Sequence, residues 1–97
     1  MPAYDGKAQW VENINPDGST ELNGQMGITI YNVEGTKKIA RLRTNISGRS
    51  PDTLKTVLTT LLKIHGWQLC SDINVDTYPV PNGQLVWSRF HVCPITP

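Results

Sequence analysis

Two cysteines, two histidines and a set of aromatic and basic side chains are the groups in this 97-residue chain with the most chemistry to offer. Cys70-x-Asp72 and His91-x-Cys93 are the first constellation. Thiolates with imidazole and carboxylate make a zinc-ligand set. The spacing argues against that use. Structural zinc sites favour knuckles with about two to four residues between cysteines, which curl the backbone around the ion. No such pair occurs here, so no metal is expected. A Cys70–Cys93 disulfide is a second option. The favoured expectation is two free cysteines packed as small apolar groups. Disulfide scaffolds usually carry more cysteines, and a chain of this length can build a core without one. On that basis the compartment reads as reducing and cytoplasmic.

Cysteine catalysis would need a thiolate lowered in pKa by a nearby cation or a helix N-terminus. Neither cysteine opens a helix, and His65 sits where a helix should end, a position that suits its charge without giving it a task. Asp72 and Asp76 share a strand face, but Asp76 is expected to pair with Arg89. No phosphate-binding, dinucleotide-binding, zinc-protease or nucleophile-elbow motif is present. The expectation is a non-enzyme that needs no cofactor.

The third constellation mixes aromatic and basic residues: Tyr31, Tyr78 and Trp87 with Lys37, Arg41, Arg43, Arg89 and His91. Such a mixture suits single-stranded nucleic acid, whose bases stack on exposed rings. It equally suits a protein partner, because Tyr, Trp and Arg dominate interface hot spots.

Charge bears on that choice. The net charge is only +1, weak support for a dedicated duplex-DNA binder. The charge is unevenly spread, however. Residues 1–36 carry net −4, residues 37–63 net +6 and residues 64–97 net −1. The simpler expectation is that the acidic and basic segments lie side by side in a sheet and neutralise each other. The other is a local positive patch on a nearly neutral protein.

The elements that must position these residues are well punctuated. Asn15-Pro16-Asp17-Gly18 marks a turn between a strand at Lys7–Ile14 and a returning arm at Ser19–Leu22. Asn23-Gly24 interrupts before Gln25–Val33, where Met26, Ile28 and Ile30 alternate with Thr29, Tyr31 and Val33, the period of a half-buried strand. A three-residue loop at Glu34–Thr36 would pair Ile30 with Ala40 and Ile28 with Leu42. A one-residue slip would bury arginines, so this register is preferred. The strand Lys37–Ile46 then turns Arg41 and Arg43 outward.

Ser50-Pro51-Asp52 is a helix start, and Leu54, Val57, Leu58, Leu61 and Leu62 form one apolar stripe. Gly66 ends a helix of about 50–65. Trp67–Val80 and Gln84–Ile95 are expected to pair around a type I′ turn at Asn82-Gly83. That register places Ile73 opposite Val92, Val75 opposite Phe90, Tyr78 opposite Trp87, Asp76 opposite Arg89, Asn74 opposite His91 and Asp72 opposite Cys93.

The predicted architecture is α+β, one domain over 1–97: a mainly antiparallel sheet, β-β-β-(β)-α-β-β, with the single helix on one face. The other face, carrying Tyr78 and Trp87, needs polar cover, a partner, or the N-terminal hairpin folded over it. No run approaches the length of a membrane span, and the N-terminus lacks a secretory pattern. The leading functional expectation is a small protein-binding module. It would be an accessory or inhibitor protein of the kind phages and mobile elements carry, acting on a host protein or dimerising through its outer sheet face. The alternatives are a single-stranded nucleic-acid-binding domain on the same face and a binder of a small nucleotide-like ligand.

Overall fold

The computed structural model describes residues 3–95. Its elements are β1 (Tyr4–Ile14), β2 (Thr20–Tyr31), β3 (Lys38–Asn45), a 3-10 turn at Pro51–Thr53 leading into α1 (Leu54–Ile64), β4 (Trp67–Leu69), β5 (Asn74–Val80) and β6 (Gly83–Pro94). All strand pairs are antiparallel, in the order β3-β2-β1-β6, and both β4 and β5 then pair with the far edge of β6. The fold is α+β, as the alternating strands and single amphipathic helix require.

Strand alternation sorts the side chains. Ala8, Trp10, Leu22, Met26, Ile28, Ile30, Leu42, Val86, Phe90 and Val92 are buried on one face, where Leu54, Leu58 and Leu62 of α1 join them. Val57 and Leu61 of the predicted stripe are only partly buried. The helix starts as expected, with the Ser50 hydroxyl accepting from the Asp52 backbone N–H at 3.3 Å. An 11-residue helix is about 17 Å long, whereas a 12-residue strand spans about 40 Å. One helix therefore covers less than half of the sheet's length. The Ile46–Ser50 connection covers part of the remainder: Leu22 N–H donates to the Arg49 carbonyl at 2.7 Å, and Ile46 is fully buried.

The β2–β3 register is the predicted one, with Ile28 opposite Leu42 and Ile30 opposite Ala40. Asn23-Gly24 does not break the second strand. The chain runs through it as a bulge opposite Gln9–Val11, with Gly24 at φ 87°.

The last hairpin departs from expectation. Its loop is Pro81-Asn82, with Val80 opposite Gly83 and Asn82 at φ 63°. Proline followed by a positive-φ residue is the pattern of a type II turn, not of type I′ at Asn82-Gly83. Gly83 has a different task. A Cβ there would overlap the Glu12 carbonyl oxygen, because β1 passes alongside. The turn shift moves the pairing by two residues, which keeps each side chain on its face but changes its neighbour. Tyr78 faces Leu85, Asp76 faces Trp87, Asn74 faces Arg89 and Val75 faces Ser88. The predicted Asp76–Arg89 and Tyr78–Trp87 pairs therefore do not form, nor do Ile73–Val92, Val75–Phe90 and Asn74–His91. The strand expected over Trp67–Val80 also breaks at Cys70–Ile73 into β4 and β5, and every residue of β5 is exposed.

At that break Cys70 and Cys93 are joined as a disulfide, with Cα atoms 5.9 Å apart. This corrects the expectation of free cysteines. The sulfurs hold the edge lane to β6 and are not ligands, so Cys70, Asp72, His91 and Cys93 do not form a metal set. Among the described residues, no group of three or more His, Cys, Asp or Glu is gathered to hold an ion. The inference of a reducing compartment rested on free thiols and loses that premise. No helix among the described residues is long and apolar enough to cross a membrane.

Candidate nucleic-acid interface

The face away from α1 carries the odd-numbered residues of β1, β2, β3 and β6. Strand pairing arranges them in rows. One row reads Asp76, Trp87, Gln9, Gly27, Arg43 from β5 to β3. The next reads Asn74, Arg89, Lys7, Thr29, Arg41, and the third brings His91, Asp5, Tyr31 and Lys38 into line.

A hollow of about 340 Å³ opens across the middle of these rows. Its lining includes Lys7, Lys38, Arg41 and Arg43 as cations, and Tyr31 and Trp87 as aromatics. Gln9, Gln25 and Thr29 add hydrogen-bonding groups, and no carboxylate lines it. The Lys7 ammonium stands 4.9 Å from the centre of the Tyr31 ring, a cation–π contact between diagonal neighbours on adjacent strands. The floor exists because Gly27 has no side chain: a Cβ there would meet nothing within 4 Å.

The acidic N-terminal segment lies beside the basic strand β3, but none of its carboxylates lines the hollow. Glu12 is turned to the opposite face, buried, and accepts from Gln84 Nε2 at 2.7 Å. Asp17 lies in the β1–β2 turn, where the side chain and backbone N–H of Ser19 hold its carboxyl below its ordinary pKa. Asp5 and Asp76 stand at row positions outside the hollow. Net charge near zero thus conceals four cations gathered with no acid among them.

The structure brings together Tyr31, Arg41, Arg43 and Trp87 of the predicted binding residues. It does not bring Lys37, Tyr78, Arg89 or His91 into the hollow. Lys37 sits in the loop before β3, its N–H bonded to Asn32 Oδ1 at 3.2 Å. Arg89 lies on the same face beside Lys7, and Tyr78 stands half-exposed across from Leu85. The backbone of His91 serves the β4–β5 break, accepting from Cys70 N–H and donating to Ser71 Oγ. Lys7, Lys38, Gln9 and Gly27 were missed. Alternation against buried Ala8 and Trp10 marks Lys7 and Gln9 as outward, but only the pairing of β1 between β2 and β6 puts them at the centre.

The N-terminal hairpin does not cover this face, since β1 and β2 are the middle of the sheet. Trp10 lies in the core opposite Val86, so it does not pack on Trp87. Comparison with family models, with curated proteins and with solved structures finds no match. The chemistry of the hollow therefore has to carry the functional conclusion.

Proposed function

We propose that the protein is a non-catalytic binding module that holds single-stranded nucleic acid on its outer sheet face. One observation carries this reading: four cations and two aromatic rings line a single open hollow that contains no carboxylate. Lysine and arginine attract the phosphates, and the rings offer stacking platforms that any base can use. A hollow open along a sheet accommodates a passing strand, whereas a duplex would present its bases only at the bottom of a groove.

The test is fluorescence anisotropy with a labelled oligothymidylate across a salt series. If four phosphates are engaged, log K should fall with log salt at a slope of about −3. Arg41→Ala with Arg43→Ala should reduce the slope to about −1.5. Trp87→Ala should weaken binding without loss of the melting transition, because Trp87 faces away from the helix-packed core. A salt-independent interaction, or no binding at low salt by the folded protein, would overturn the proposal.

A protein partner is the second reading. Tyr78, Leu85 and Val11 form an adjoining row on the same face, next to Trp87, and Tyr78 is 51% exposed. A partner seated there would depend on Tyr78 and tolerate loss of Arg41 and Arg43 apart from its association rate.

A further inference from the structure

The positions of the two rings within the hollow specify how long its ligand must be. Trp87 is on β6 and Tyr31 on β2, two strands apart, with β1 between them. Along the strands they are separated by four residues, since Trp87 is level with Gly27. With strands about 4.8 Å apart and a rise of about 3.4 Å per residue, the two Cα atoms lie about 17 Å apart. Lys7 occupies the midpoint of that diagonal, one strand and two residues from each ring. The order along the diagonal is aromatic, cation, aromatic.

We infer that the site takes a run of at least three nucleotides along this diagonal, not a single nucleotide and not a strand laid along β1. One base stacks on Trp87 and another on Tyr31, while Lys7 receives a phosphate of the linking nucleotide. Two adjacent stacked bases are too close together to reach both rings, so an unstacked nucleotide must bridge them. Arg41 and Arg43 lie on the β3 side of the path and meet the outward phosphate oxygens. Lys7 also has a positioning role: its ammonium holds one face of the Tyr31 ring and leaves the other for a base. This inference rests on the nucleic-acid reading and adds to it the length and path of the ligand.

The experiment is competition by unlabelled oligothymidylates of one to eight nucleotides, against wild type, Trp87→Ala and Tyr31→Ala. Each variant is first checked for an unchanged circular dichroism spectrum. Affinity should rise steeply from two to three nucleotides and only slowly beyond. With the trimer, either substitution should cost about 5- to 150-fold, the worth of one stacked base. With the dimer, either should cost at most about twofold, because one ring remains for the single base that can stack. If a mononucleotide competes as well as the trimer, or if each substitution costs the same factor with the dimer as with the trimer, the three-nucleotide path is overturned while nucleic-acid binding survives. If no length competes and the labelled strand does not bind, the broader reading falls as well.

Discussion

Breaking the Cys70–Cys93 disulfide should cost this fold more than any single surface change. The bond closes a loop with a sequence separation of 23. Chain entropy alone then assigns it about 3.4 kcal/mol at 25 °C, since the reduced unfolded chain regains the freedom the loop removed. An unfolding entropy of about 2.1 cal/mol/K per residue over 97 residues converts this to a drop in Tm of about 17 °C. The location makes the figure credible. The bond lies at the gap between β4 and β5, where ladder pairing with β6 gives way to two hydrogen bonds that tie Cys70 and Ser71 to the His91 backbone. β4 contributes only three residues, so its pairing with β6 is short and is reinforced by the bond and by the helix above it. The assay is a thermal melt by circular dichroism of the oxidised protein, of the protein in reductant, and of a Cys70→Ala/Cys93→Ala variant. Thiol titration before and after reduction establishes the redox state of each sample. Agreement of all three Tm values within about 3 °C would refute the reasoning and show that strand pairing and packing hold β4 without the bond.

Other outcomes follow from the same geometry. Leu58→Ala, at 1% exposure under the sheet, should destabilise by about 2–5 kcal/mol in urea melts, and the half-buried Leu61→Ala by clearly less. Gly83→Ala should destabilise more than Gly48→Ala. The first overlaps the Glu12 carbonyl, whereas the second only places alanine at φ 80° with open space around it; comparable small shifts in Tm would contradict this. Gly27→Val should raise Tm slightly, because glycine weakens a strand interior and a side chain meets nothing there, yet it should abolish oligonucleotide binding by filling the floor of the hollow. A Gly27→Val protein that binds like wild type would show that the ligand does not enter.

Residues close in sequence were largely legible before the structure. The helix start at Ser50-Pro51, the apolar stripe, and the β2–β3 register followed from caps and from two-residue alternation, both local signals. The β5–β6 register failed for an identifiable reason. Asn82-Gly83 is a strong hairpin signal, but Pro81 sets up a competing turn one residue earlier, and Gly83 is required by β1 rather than by its own φ. The disulfide was undervalued because two cysteines far apart in sequence give no spacing cue, and only the pairing of β4 with β6 brings them together. The site was half legible. Arg41, Arg43, Tyr31 and Trp87 face outward by alternation, but Lys7, Lys38 and Gly27 enter only through the placement of β1 and β2 at the middle of the sheet.

The position of β6 has a consequence for biosynthesis. It is the last of the described strands, yet it lies inside the sheet and is bonded to β1 on one side and to β4 and β5 on the other. Until residues 83–94 leave the ribosome, the β1–β2–β3 meander has an unpaired inner edge, and the core lacks Val86, Phe90 and Val92. The β1–β6 contacts, such as Ser88 with Ala8, close a loop of 80 residues, an entropic cost met only when β6 docks. The sheet should therefore close late, once β6 docks on β1. Removing β6 should leave a chain that pairs through its open β1 edge with other chains, the route by which such intermediates aggregate.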